Sequence, residues 1–107
     1  MTEVHIVIRR INPALKIDLA QVGCIKDRQF EPLPLSVVAN SPAAPYLKSS
    51  PISDSLYVEH SKVSSLVGAC RDLPGFGLEF FDNTIILMFN SDFDCDESTP
   101  KEERKGN

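Results

Sequence analysis

The 107-residue chain is short of the residues on which most recognisable chemistry is built: it has no tryptophan, two tyrosines, two histidines and three cysteines. Nucleic-acid surfaces need an excess of basic residues and exposed rings for stacking. Here 15 acidic residues outnumber 11 basic ones, for a net charge of −4, so nucleic acid is not the expected partner. Arg9, Arg10 and Lys16 fall close together, but Glu3 and Asp18 accompany them, as on an ordinary charged surface. Long apolar runs are missing too. The longest, Ile85 to Phe89, has five residues, whereas a membrane-spanning helix takes roughly 20. Near the N-terminus Glu3, His5, Arg9 and Arg10 lie inside the apolar stretch, a pattern unlike a signal peptide.

Cys24, Cys70 and Cys95 cannot all pair within one chain, and they show no CxxC spacing. The first reading is reduced thiols in a soluble, intracellular and by default cytoplasmic protein. A secreted chain with one bridge and one free thiol is the alternative. Patterns such as HExxH, the P-loop and the nucleophile elbow are absent. A Cys–His couple, His60 with Cys70 or His5 with Cys24, is the conceivable route to an activated thiolate. Cys70, however, falls on an apolar helix face, where cysteine behaves as a small buried hydrophobe. The reading is therefore a non-enzyme, with no catalytic residue, metal or cofactor.

The length suits one domain, and charge divides it. Residues 1–91 carry eight basic against nine acidic residues, and residues 92–107 carry three against six. The first span reads as a single α+β domain and the second as an acidic, disordered tail. In the tail, Asp92, Asp94, Asp96, Ser98 and Glu103 have EF-hand-like spacing, but Glu97 stands where the loop needs glycine. Ser91 and Thr99 resemble phosphorylation acceptors. Phe93, between two aspartates, suits docking onto a basic groove.

Alternation of Val4, Ile6 and Ile8 predicts a strand, and Asn12-Pro13 a turn. Leu15, Ile17 and Leu19 alternate with Lys16 and Asp18, which predicts a second strand with its leucines and isoleucine inward and Asp18 outward. Val22 to Ile25 reads as a short third strand. Phe30 to Ala39 is an edge strand or an extended run, because Pro32 and Pro34 lack amide donors. Asn40 to Ser55, with Pro42, Pro45 and Pro51, reads as a long loop. Its Pro42-Ala43-Ala44-Pro45 has PxxP spacing without an adjacent basic residue.

Ser55 to His60 reads as a strand. Ser61 is placed to cap a helix in which Val63, Leu66, Val67, Cys70 and Leu73 share one face, ending at Pro74-Gly75. That helix, residues 61–73, is expected to pack on one face of a mixed or antiparallel sheet of about five to six strands. The β-α-β order from residue 55 to residue 81 predicts a parallel pair if both strands join one sheet. Pro74-Gly75-Phe76-Gly77 follows a helix, whereas phosphate loops precede one, so it reads as a helix stop.

Phe76 to Phe81 and Thr84 to Asn90 form a hairpin about Asp82-Asn83. This register puts Phe80 opposite Ile85 and Leu78 opposite Leu87 on a core face. It puts Phe81, Ile86 and Met88 on the other face, which no second helix covers. The proline-rich loop, a second copy, a partner protein or an apolar ligand must do so. The functional expectation is a protein–protein interaction module, homodimeric through the C-terminal hairpin, of the accessory or inhibitory kind found in viruses and phages. Phe81, Ile86, Met88 and Phe93 are the candidate contact residues. A lipid or small apolar-ligand binding protein using the uncovered sheet face is the alternative.

Overall fold

The computed structural model describes residues 2–12, 14, 16–33, 38, 41–49 and 56–92. The first strand, β1 (Thr2–Asn12), turns back antiparallel into β2 (Ile17–Lys26). The third, β3 (Gln29–Pro32), pairs with the end of β2. The intervening Asp27 and Arg28 both have positive φ, 52° and 66°, the conformation that lets a two-residue turn follow the strand twist. What the sequence pattern presents as a separate strand at Val22–Ile25 is thus the second half of β2.

Two short strands follow, β4 (Lys48–Ser49) and β5 (Leu56–Glu59). A 3-10 turn, His60–Lys62, leads into α1 (Val63–Arg71), and β6 (Gly77–Phe81) and β7 (Thr84–Ser91) complete the sheet. The seven strands run in the order β4-β5-β2-β1-β7-β6, with β3 also on β2. Every neighbouring pair is antiparallel, so the sheet is not mixed. The strands flanking the helix, β5 and β6, do not pair, because β2, β1 and β7 lie between them. The N-terminal strand therefore closes the fold: it pairs with both β2 and β7 and occupies the sheet's centre.

One face of the sheet carries the core. Val4, Ile6 and Ile8 of β1 sit beside Leu87 and Phe89 of β7, Ala20, Val22 and Cys24 of β2, and Leu56 and Val58 of β5, all buried. The phase of β2 is the reverse of the expected one. Asp18 points into the core at 1% exposure, while Ile17 and Leu19 are half-buried on the opposite face. Ala20, Val22 and Cys24 fix the phase of the ten-residue strand, and because side chains alternate with period two, Asp18 is carried inward with them.

Leu66 and Cys70 of α1 close over this face, with Val63, Val67 and Leu73 partly buried against it. Ser61 lies inside the 3-10 turn, and the N-cap position of α1 falls to Lys62, which makes no side-chain capping bond. The chain leaves the helix through Gly75 at φ 74°, a conformation glycine adopts without steric cost. The segment after β3 also packs on the helix side. Leu33, Val38 and Ala43 are buried, Tyr46 and Leu47 lie against them, and Ala44–Tyr46 forms a 3-10 turn next to α1. The expected long loop thus contributes to the core.

Candidate functional site

The final hairpin has the register its turn dictates: Phe81 pairs with Thr84, Phe80 with Ile85, Glu79 with Ile86, Leu78 with Leu87 and Gly77 with Met88. Asp82 takes the positive φ, 45°. Among the described residues β6 is the last strand of the sheet on this side. Its outer edge has no strand partner among them, and an unpaired edge is a template for another chain.

Two phenylalanines flank this edge on opposite faces. Phe81, on the outer face, is 55% exposed, and Phe80, on the helix face, is 67% exposed. The sequence pattern made Phe80 pure core. It fails there because α1 crosses the sheet short of β6, leaving the ring beside the helix and not beneath it. Ile86 and Met88 are half-buried on the outer face among the side chains of β1, and are less available than Phe81. The described part of the proline-rich segment lies on the helix side and does not cover them. Phe93, the calcium-like spacing and most of the predicted tail lie outside the described residues.

A cleft runs along the helix side of the hairpin. Its apolar part, about 370 Å³, lies between Val63, Val67 and Arg71 of α1 and Leu78, Phe80 and Ile85 of the hairpin. Phe80 and Ile85 also line a second pocket of about 210 Å³, which reaches Arg10, Asp18 and the Asp82-Asn83 turn. There, His60 Nε2 donates to Asp18 Oδ1 at 2.6 Å, and Arg10 Nε lies 3.6 Å from the same oxygen. A buried carboxylate needs such partners to offset its lost hydration. The cluster ties the start of the helix to β2, helped by the His60 amide donating to the Lys16 carbonyl at 3.1 Å. Reasoning from sequence missed it, since its members are 8 to 50 positions apart. The one local signal was an aspartate among alternating apolar residues.

The predicted Cys–His couples do not assemble. His60 is engaged by Asp18 at the entry to the helix, while Cys70 is fully buried near the helix end, and burial pushes its thiol up to about 11. His5 stands on the outer face opposite Gly23, whereas Cys24 points into the core. Cys24 is disulfide-bonded. That departs from three reduced thiols and agrees with the one-bridge alternative. Among the described residues no group of three or more His, Cys, Asp or Glu side chains is placed to hold a metal ion, and no helix is long and apolar enough to cross a membrane.

Comparison with protein-family models, curated proteins and solved structures returns no match.

Proposed function

We propose that the protein is an interaction module that self-associates through its final hairpin. The observation carrying this reading is the β6 edge, which is the sheet's last strand among the described residues and exposes two large aromatic side chains, one on each face. Isolated apolar residues are common on protein surfaces. Two adjacent phenylalanines on an open strand edge combine apolar area with unpaired backbone groups, the two ingredients of strand addition. The contact surface is led by Phe81 and Phe80, with Ile86 and Met88 contributing less than their place in the sequence pattern implied.

Sedimentation at tens of micromolar tests the proposal. A dimer of twice 11.9 kDa that Phe81→Ser weakens supports it, and a strict monomer refutes it.

The apolar-ligand alternative draws support from a different place than expected. The cleft of about 370 Å³ on the helix side falls within the size range of small-molecule sites, whereas the outer sheet face was the predicted pocket. Native mass spectrometry of the purified protein distinguishes this reading through a co-purifying apolar mass.

A further inference from the structure

We infer that the occupant of the β6 edge is a second copy of this chain, added as an antiparallel strand about a two-fold axis at Phe80. This rests on the self-association reading and specifies its geometry. The two-residue turn makes Phe81 and Thr84 the hydrogen-bonded pair next to it. Pairs alternate in an antiparallel ladder, so the backbone N–H and C=O groups of Phe80 and Leu78 point away from β7, toward the free edge.

Of the symmetric registers that use those groups, two keep the pairing within β6 and its turn, whereas a two-fold at Leu78 reaches back to Phe76 ahead of the strand. A two-fold at Glu79 sets Glu79 opposite its own copy, in a closely spaced pair of like charges, which is destabilising. A two-fold at Phe80 sets Phe80 opposite its own copy, Glu79 opposite the partner's Phe81, and Leu78 opposite the partner's Asp82.

The second register also satisfies the charges around the edge. The helix runs antiparallel to β6. Its start is tied through His60 and Asp18 to the end of the sheet where Asn83 accepts from the Arg10 amide, and its exit lies where the Asn90 amide donates to Pro74. Arg71, near that exit, lines the apolar cleft together with Leu78. The partner's Asp82, set opposite Leu78, therefore arrives at the Arg71 end of the cleft, and symmetry makes this ion pair twice. The two Phe80 rings meet on the helix face and shield both clefts from water. In the free chain that ring is 67% exposed.

Cysteine cross-linking together with charge exchange tests this arrangement. In the Phe80 register, residue 80 faces itself at a Cα separation of about 5.5 Å, within disulfide range. Residue 79 stands beyond the roughly 7 Å limit from its own copy. With both variants held about thirtyfold above the concentration at which the wild-type chain dimerises, which offsets the lost ring, Phe80→Cys should form a covalent dimer under mild oxidation at least about tenfold faster than Glu79→Cys. Arg71→Glu and Asp82→Arg should each raise the dimer Kd about tenfold, and the double exchange should restore it. Circular dichroism verifies that each variant is folded. If the wild-type chain dimerises but Glu79→Cys cross-links faster, neither cysteine cross-links, or the exchanges have no effect, this geometry is wrong while self-association stands. A wild-type monomer at tens of micromolar overturns both.

Discussion

The two long hairpins of this protein are built from the same materials and end in opposite situations. The first, β1–β2, has a neighbour on each side and buries a carboxylate. The last, β6–β7, is paired on one side only among the described residues and exposes two phenylalanines. Polarity alone would have reversed these assignments. What decides them is position in the sheet: a central strand has its phase set by all its neighbours together, whereas an edge strand leaves exposed whatever the helix does not reach.

Paired substitutions in β2 give the largest expected effect on that contrast. Asp18→Ala removes the buried acceptor that His60 and Arg10 share and should cost about 2–3 kcal/mol, the upper range for hydrogen bonds to a charged group. Leu19→Ala, one residue on but half-buried, should cost about 1 kcal/mol. Urea denaturation measures both. The opposite order would restore the phase that the alternating pattern first implied.

Gly23→Ala should be next. A Cβ there would stand 2.4 Å from the Glu31 carbonyl oxygen and 2.6 Å from the Phe30 ring, so β3 must move off β2. A loss of about 1–3 kcal/mol is expected, whereas Gly68→Ala, where the space is open, should stabilise α1 by up to about 1 kcal/mol. Equal effects at the two sites would contradict the close packing of β3.

Cys70 gives a smaller, pH-dependent effect. Its thiol is held up to about 11 in the folded chain against an ordinary value of 9.0. Between those values the native state keeps a proton that the unfolded state has released, so this contribution to stability falls as pH rises through the window. The Cys70→Ala variant should lose that alkaline slope in thermal melts, and its persistence would assign it to another group.

Much of the last hairpin was legible in the sequence. Two turn residues between two apolar runs fix a register, and the pairing from Gly77 with Met88 to Phe81 with Thr84 follows from them. The helix face was legible for the same reason: its signal is local. Strand order was not, since nothing near Val4 indicates that β1 separates β2 from β7. Asp18 was misread because its partner His60 is 42 residues away. The exposure of Phe80 depends on where α1 lies across the sheet, a tertiary fact with no trace in the alternation around it. Leu33, Val38 and Ala43 were hidden among prolines and serines, although their side chains complete the core.

The central claim is that the exposed edge at Phe80 and Phe81 is a self-association surface, and sedimentation velocity on the wild-type chain and Phe80→Ser across a concentration series tests it most directly. The wild-type chain should shift from 11.9 kDa toward twice that mass as concentration rises. Phe80→Ser, equally folded, should need a concentration about thirtyfold higher to do so. A wild-type chain that stays monomeric, or a variant that dimerises as readily, would contradict the account.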